Sequence, residues 1–311
     1  MKPKIHVTIL GAGAVGVSSA VSILHNRICA RLSLYDLVAD KARGEALDLA
    51  HGAPLLGGVT VDGGGLDEVE GGDVCIVTAG AKQRPGEDRL ALLARNERAL
   101  DDIARVWEAR GMPRVVVVVT NPVDVMTEAL RRRLQGTNVS VFGSGTLLDT
   151  LRLRHALSRM LDLAPDSIHA SVVGEHGDSS VCLLDSGRAG GRTLEAALGA
   201  KGIALDEAFR QSIAEQVRGA AYQIIARKGA TSHAIGVAVA RITRAVVGDE
   251  RAVLPVSAPV EPGVCAGTPC ILGSTGATPL GLDSFPLSPR ERDDVARSVD
   301  VLRARCAELS A

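Results

Sequence analysis

The segment 174–178, with the sequence GEHGD, presents a histidine between two glycines directly after the apolar run 171–173. An apolar run of this kind is typical of a buried strand, and the glycines favour a tight loop. Imidazole titrates near neutral pH, so His176 is suited to donate and accept a proton. A single histidine in such a segment is more often a solvated turn residue than a catalyst. The other polar residues of the sequence therefore decide the interpretation.

Asp149 and Arg152 are three positions apart, so on a helix they share one face. The guanidinium of Arg152 can bind a carboxylate through two parallel hydrogen bonds, and a buried carboxylate such as Asp149 can stabilise an imidazolium. A helix cap at Asp149 and a surface ion pair at Arg152 are the alternatives. With His176 present as well, the pattern favours proton transfer on a substrate that carries a carboxylate.

Arg89 and Asn121 also lie where the sequence changes from apolar to polar. Arg89 ends the loop 83–89, whose Pro-Gly pair and charges favour a mobile lid. Closure of the lid would bring a cation to a substrate carbonyl and stabilise the negative charge that develops there. Asn121 follows the apolar run 115–119, where its amide could bond substrate or cofactor, and a turn with Pro122 explains it equally well.

The glycines Gly11, Gly13 and Gly16 form a GxGxxG motif between an apolar run and a helical pattern. Gly11 permits a tight turn, Gly13 lets the backbone approach a pyrophosphate, and Gly16 lets the helix pack closely. The N terminus of the helix favours the anionic phosphates. Asp36, about 20 residues further on, would accept hydrogen bonds from ribose hydroxyls and repel a 2′-phosphate. The motif therefore predicts NAD as the cofactor.

The composition limits the class of partner. The 311 residues carry a formal net charge of -1 and are 46% hydrophobic, which argues against nucleic acid or a membrane surface as a partner. The six cysteines show no CxxC or Cys/His spacing, so we expect no metal site. The first apolar run is too short for a signal peptide or a membrane span, which predicts a cytoplasmic enzyme.

Short apolar runs alternate with helical patterns in the first half, with strands expected at 7–10, 32–35, 74–77, 115–119 and 139–142. This alternation predicts an α/β fold with a Rossmann-type doubly wound parallel sheet. After about residue 143, longer helices, short strands and a hairpin over 253–271 predict a mixed α+β catalytic domain. We therefore expect an NAD-binding domain at 1–143 and a substrate-binding catalytic domain at 144–311.

The chain resembles the lactate/malate dehydrogenase family nearly end to end, and within it the bacterial L-lactate dehydrogenases. The motifs that carry the resemblance are GAGAVG at 11–16, TAGAKQRPGEDRL at 78–90, TNPVD at 120–124, GSGTLLDTLR at 143–152, GEHGDS at 174–179 and KGAT at 228–231. Leu151, the strand segment 182–184 and the stretch 264–286 depart from the family pattern. These departures concern packing and surface, not the residues suited to chemistry.

The resemblance implies an oxidoreductase that moves a hydride between NADH and pyruvate, giving L-lactate. It implies that His176 is the acid/base, that Asp149 is its partner, and that Arg89 polarises the carbonyl. The substrate-binding residues that it implies are Gln83, Arg89, Asn121, Arg152 and Thr231. The cofactor-binding residues that it implies are Gly11, Gly13, Val15, Gly16, Asp36, Asn121 and Ile235.

Gln83 occupies the position that sets substrate choice in the family, and its neutral side chain favours pyruvate over a dicarboxylic keto acid. If the loop register differs by one residue, Arg84 would face the substrate, so malate dehydrogenase is the alternative within the family. A non-catalytic NAD-binding sensor and a metal-dependent NAD glycosidase are alternatives from other classes. A sensor has no need of His176, Asp149, Arg152 and Arg89 together. A glycosidase of this kind needs metal ligands, which the scattered cysteines and histidines do not supply.

Arg154 and His169 suggest a regulatory site. Arg154 lies two residues after Arg152 and projects roughly 200° away from it around a helix. In many bacterial L-lactate dehydrogenases the matching arginine and histidine bind fructose 1,6-bisphosphate across a two-fold axis, and the resemblance implies a homotetramer. A solvated arginine and a strand histidine with its own hydrogen bond explain the two residues equally well.

Overall fold

The computed structural model describes residues 5–80 and 89–309, with the side chains of 89–91 left out. Its first half alternates strands with helices. The strands are β1 (His6–Leu10), β2 (Arg31–Asp36), β3 (Thr60–Gly65), β4 (Val74–Val77), β5 (Val115–Val118) and β6 (Ser140–Gly143). The helices are α1 (Ala14–His25), α2 (Ala39–Gly52), α3 (Arg89–Arg110) and α4 (Val123–Arg133).

These six strands form one parallel sheet in the order β3-β2-β1-β4-β5-β6. The central strands are buried along their whole length, as in β4 and β5, because helices cover both faces of the sheet. Parallel strands share one carboxyl edge, so the glycine loop after β1, Asp36 at the end of β2 and Asn121 shortly after β5 all lie there. The predicted Rossmann-type fold class is confirmed.

The second half begins with α5 (Leu147–Leu161) and a three-stranded antiparallel sheet of β7 (Ile168–Val173), β8 (Val181–Ala189) and β9 (Arg192–Thr193). The helices that follow are α6 (Leu194–Gly199), α7 (Glu207–Lys228) and α8 (His233–Val247), and α9 (Pro289–Cys306) closes the described chain. Ser288 caps α9, because its hydroxyl accepts a hydrogen bond from the Glu291 amide. The Glu291 carboxylate in turn accepts a hydrogen bond from the Ser288 amide.

The hairpin that the sequence assigned to the second domain joins the first sheet instead. Its strands β10 (Ala252–Glu261) and β11 (Val264–Gly273), with β12 (Gly276–Pro279), extend that sheet to nine strands. The junction is antiparallel, between Ser257 of β10 and Gly143 of β6. Pairing between residues more than a hundred positions apart leaves no local signal in the sequence.

Two glycines let α1 approach its neighbours closely. A Cβ at Gly16 would lie 1.9 Å from the Gly11 carbonyl oxygen, so α1 packs directly against the glycine loop. A Cβ at Gly236 of α8 would lie 2.6 Å from the backbone of Ser18. The second half of the chain thus packs against the helix that follows the glycine motif. In the part of the chain that the structure describes, no helix is long and apolar enough to cross a membrane.

Candidate active site

His176 lies three residues beyond the end of β7, on a loop that begins at Gly174. Gly174 has φ +83°, a conformation that favours glycine, and it exchanges two backbone hydrogen bonds of 2.8 Å with Gly267 of β11. The ring Nδ1 of His176 donates to Asp149 Oδ2 at 2.6 Å. The side chain of His176 remains 26% exposed, whereas that of Asp149 is 8% exposed. A buried carboxylate thus orients an imidazole whose other face is accessible.

Opposing effects act on the pKa of His176. Burial lowers it, but the negative charge of Asp149, the hydrogen bond that the ring donates to that carboxylate and the charge of Asp124 together outweigh burial. Arg152 opposes the two carboxylates. The net result is a pKa raised above the ordinary value of 6.5, so the imidazolium persists to a higher pH than in a free histidine side chain.

Arg152 and His176 share the carboxylate of Asp149. Arg152 Nη1 donates to Asp149 Oδ1 at 2.8 Å, while His176 binds the other oxygen. Both ion-paired side chains lie on the first two turns of α5, and Arg152 is 15% exposed. Asp149 and Arg152 therefore share one face of the helix, as predicted, and the guanidinium lies beside the imidazole. This arrangement can bind an anionic substrate next to a proton donor.

Asp124 is a site residue whose contact with His176 sequence reasoning missed. It lies in the first turn of α4, is 2% exposed, and accepts the backbone N–H of His176 at 2.8 Å through Oδ2. Burial raises the pKa of Asp124, and the hydrogen bond from the His176 amide opposes that rise. A signal was present in the sequence, because an acidic residue in an otherwise apolar first turn, VDVM, requires a buried partner.

The glycine loop has the shape that a dinucleotide requires. Gly11 has φ +105°, and a Cβ at Gly13 would meet no atom within 4 Å. The open side of Gly13 adjoins the N terminus of α1, whose first N–H groups have no acceptor within the helix. Asp36 supports the loop, since its Oδ2 accepts the Ala12 amide at 2.7 Å and its Oδ1 accepts the Val38 amide at 3.0 Å.

The remaining predicted residues are distributed around this edge. Asn121 is exposed, its peptide bond to Pro122 is cis, and its carbonyl accepts the Asn96 side chain at 3.1 Å. Thr231 and Ile235, at the start of α8, are both half-buried. Val15 and Ile235 are both partly buried and pack against the core cluster that contains buried residues of α1.

Some predicted residues lie elsewhere. Gln83 and Arg84 fall outside the described residues, and Arg89 is the first residue of α3, with its side chain also outside them. Arg154 Nε donates to the carbonyl of Ala170 at 3.0 Å, and His169, the residue before Ala170, is exposed on β7. Burial lowers the pKa of Arg154, which the charge of Asp166 opposes.

Comparison with known families agrees with this geometry. The profile of the lactate/malate dehydrogenase NAD-binding domain matches residues 5–143, and the profile of that family's alpha/beta C-terminal domain matches residues 146–311. The chain belongs to the lactate/malate dehydrogenase family. It is thus an oxidoreductase that uses NAD, as its glycine motif predicted.

Individual relatives cover nearly the whole dehydrogenase. An L-lactate dehydrogenase of Synechococcus sp. (strain JA-3-3Ab) is 40% identical over 301 residues, covering 95% of this chain and 96% of the relative. An L-lactate dehydrogenase of Thermus aquaticus is 40% identical over 309 residues, covering 97% and 99%. A crystal structure of minor L-lactate dehydrogenase from Enterococcus mundtii in a ligand-bound form superposes with a TM-score of 0.92, at 34% identity and 99% coverage of both chains.

Over residues 5–80 and 89–309, no group of three or more histidine, cysteine, aspartate or glutamate side chains is arranged to hold an ion. Five of the six cysteines are buried, and Cys182 is half-buried.

Two glycines of the motif predict opposite phenotypes. Gly16→Ala should lower the free energy of unfolding by about 1–3 kcal/mol, because its Cβ would overlap the Gly11 carbonyl at 1.9 Å. Gly13→Ala should leave unfolding nearly unchanged and weaken NADH binding by roughly tenfold, since its Cβ fills the space facing the cofactor. Thermal melting and NADH fluorescence titration measure the two effects. Equal NADH affinity in wild type and Gly13→Ala would show that the cofactor does not approach this glycine.

Asp36→Ala should reduce the preference for NADH over NADPH, because the substitution removes both the ribose acceptor and the charge that repels a 2′-phosphate. Absolute NADH affinity should also fall, since Asp36 holds the Ala12 amide of the glycine loop. Asp40→Ala is the matched control, because Asp40 on α2 is 96% exposed and pairs with Arg43. The ratio of kcat/KM for the two cofactors is the measurement. A ratio unchanged from wild type would assign the ribose contact to another residue.

Proposed function

We propose that this dehydrogenase is an NAD-dependent L-lactate dehydrogenase, which reduces pyruvate to L-lactate and catalyses the reverse reaction. The observation that carries the proposal is the 2.6 Å contact of His176 Nδ1 with the buried Asp149, beside the guanidinium of Arg152. The relatives named L-lactate dehydrogenase support the choice of substrate.

The residues divide the reaction between binding and proton transfer. NADH, held at the glycine loop, supplies the hydride when bound. Arg152 binds the carboxylate of pyruvate, and His176 donates the proton from Nε2 that the reduced carbonyl oxygen requires. Asp149 holds the imidazole by Nδ1 and stabilises its cationic form before the proton leaves. In the reverse direction the neutral imidazole accepts the proton of the lactate hydroxyl.

Further residues have roles that we assign by resemblance. Arg89 stabilises the charge that develops on the carbonyl oxygen, and Asn121 and Thr231 contact the substrate. Val15 and Ile235 contact the cofactor, and Asn121 contributes to both sites. Gln83 contacts the methyl end of pyruvate. Because its side chain is neutral, it offers no cation to the second carboxylate of a dicarboxylic keto acid. We retain 1–143 and 144–311 as the two functional units of the chain.

A panel of 2-keto acids tests the proposal. Oxidation of NADH is followed by absorbance with pyruvate, oxaloacetate and larger 2-keto acids, without added metal. Pyruvate should give the highest kcat/KM. If oxaloacetate gives the highest value and Arg84→Gln removes that preference, malate dehydrogenase is the correct assignment. If NADH binds but no 2-keto acid is reduced, the chain is a sensor.

The same assay tests regulation. Arg154 of α5 donates to the carbonyl of Ala170, the neighbour of the exposed His169 on β7. A two-fold axis near these residues would bring two such pairs together to bind the phosphates of fructose 1,6-bisphosphate. We propose this ligand, a homotetramer and a cytoplasmic location together, since the resemblance carries all three. Activity with and without fructose 1,6-bisphosphate, and sedimentation in both conditions, are the measurements. If fructose 1,6-bisphosphate changes neither the activity nor the sedimentation, Arg154 and His169 have a structural role only.

A further inference from the structure

Glu175, the residue before His176, is anchored to the last helix of the chain. Its backbone N–H donates to Ser298 Oγ of α9 at 2.8 Å. Glu175 is 3% exposed and Ser298 is fully buried. The helix α9 lies more than a hundred residues beyond the histidine loop in sequence, so this contact joins distant parts of the chain.

The carboxylate of Glu175 is held by three groups. Its Oε2 accepts the Ser179 amide at 3.1 Å and the Ser179 hydroxyl at 2.6 Å, and its Oε1 forms an ion pair with Nη1 of Arg305 on α9. A buried carboxylate is strongly destabilising unless it is paired and hydrogen-bonded. Glu175 therefore has a stable position only while the loop and α9 remain in contact.

The loop is also packed too closely to shift without α9. A Cβ at Gly174 would lie 2.4 Å from Ser298 Oγ, so the loop backbone rests on the helix. A Cβ at Gly177 would lie 2.8 Å from the carboxyl carbon of Glu175, so the loop folds around that side chain. The two glycines of the GEHGD segment thus fit a shape that Glu175 and α9 define.

We propose that Ser298 and Arg305 of α9 are positioning residues that hold the Glu175–His176 backbone and thereby keep the imidazole on Asp149. The inference rests on the proposed function, in which His176 transfers the proton. The amide of Glu175 bonds to Ser298 of α9, and the amide of His176 bonds to Asp124 of α4. Two consecutive amides that lead into the histidine are therefore held by two different helices, and loss of one contact would let the ring move away from Asp149.

Movement of the ring has a measurable electrostatic consequence. The groups that face His176 are Asp149 and Arg152 from α5 and Asp124 from α4. The carboxylate of Asp149 is the main influence that raises its pKa, so a looser contact lowers that pKa. A purely structural role for α9 would reduce the stability of the enzyme without changing the titration of His176.

Two variants of α9 have a matched control on the same helix. Ser298→Ala removes the acceptor of the Glu175 amide, and Arg305→Gln removes the cation paired with its carboxylate. Arg303→Gln is the control, because Arg303 lies two residues before Arg305 and binds Glu261, with contacts of 2.6 Å and 2.9 Å. That exposed pair contributes little to stability, so the control should retain wild-type activity.

We expect Ser298→Ala and Arg305→Gln to lower kcat/KM for pyruvate by about tenfold, since small misplacements of a reacting group are costly. NADH affinity should be unchanged. In ¹⁵N-histidine NMR titrations, in which the His176 signal is identified by its loss in His176→Gln, the pKa of His176 should fall below that of wild type. Arg305→Lys should restore most of the activity, because the ion pair involves a single nitrogen of the guanidinium.

A double variant separates positioning from general destabilisation. In an Asp149→Asn background, where the partner of the imidazole has lost its charge, Ser298→Ala should cause little further change in the pKa of His176. A wild-type pKa for His176 in Ser298→Ala and Arg305→Gln would overturn the inference. Losses of kcat/KM no larger than that of Arg303→Gln would overturn it as well. If wild type reduces no 2-keto acid, the proposed function fails, while the NMR titration still decides the positioning role.

Discussion

His176→Gln is expected to lower kcat/KM for pyruvate reduction by about 10²- to 10⁴-fold, the range that a positioned general acid contributes. Glutamine is similar in length to histidine but cannot become a cation that gives up a proton near neutral pH. The dissociation constant of NADH should stay close to that of wild type, because the hydrogen bonds of His176 are made with Asp149 and Asp124 and not with the glycine loop. Steady-state kinetics and fluorescence titration provide the two values.

The control for this variant is another histidine. His155 lies on α5, the helix that carries Asp149, and its side chain is exposed. His155→Gln should retain wild-type kinetics. A His176→Gln enzyme that reduces pyruvate at the wild-type rate would mean that water or another side chain supplies the proton.

The pH dependence of the wild-type enzyme follows from the raised pKa of His176. Pyruvate reduction needs the imidazolium, so kcat/KM should be constant below that pKa and fall as the pH rises through it. Lactate oxidation needs the neutral imidazole, so its rate should rise through the same pKa. The midpoint should lie above the ordinary value of 6.5. Asp149→Asn removes the charge that raises the pKa, and the midpoint should move to lower pH.

Much of the site could be predicted from the sequence because its members lie at the ends of predictable elements. Asp149 and Arg152 share a helix, and His176 follows a strand, so the local sequence pattern was enough to predict all three as site residues. Which atoms meet could not be predicted, since the 2.6 Å contact joins residues 27 positions apart. Ser298 and Arg305 gave no signal at all. A serine and an arginine in a charged helix are ordinary surface residues until the packing of that helix is known.

The strand β3 is not among the strands that the sequence predicted. Its sequence, TVDGGG, contains three glycines, and glycine is depleted in strands. Pairing with β2 and close packing against α2 override that preference. A Cβ at Gly63 would lie 2.6 Å from the carbonyl oxygen of Ala42, so the glycines are required for the approach of the helix. Tertiary packing explains this strand.

Arg152→Lys is expected to raise KM for pyruvate by about 10- to 150-fold. The ammonium keeps the charge but cannot form the two parallel hydrogen bonds that a guanidinium makes with a carboxylate. Loss of one charge-assisted hydrogen bond corresponds to about 1.5–3 kcal/mol, which gives this range. The value of kcat should fall less than kcat/KM, because proton transfer by His176 is retained. Saturation kinetics with pyruvate at fixed NADH measure both.

Because the charge is retained, Arg152→Lys tests only the two parallel hydrogen bonds of the guanidinium. Arg152 opposes the rise in the pKa of His176, and lysine preserves that positive charge, so the pH midpoint should stay near that of wild type. Arg159→Lys is the matched control, since Arg159 is exposed near the end of α5 and should tolerate the change. An unchanged KM together with an unchanged pH midpoint in Arg152→Lys would show that the ion pair with Asp149 is the only role of Arg152. A shifted pH midpoint with normal KM would instead assign Arg152 to tuning the proton donor, because its charge reaches His176 through their shared carboxylate.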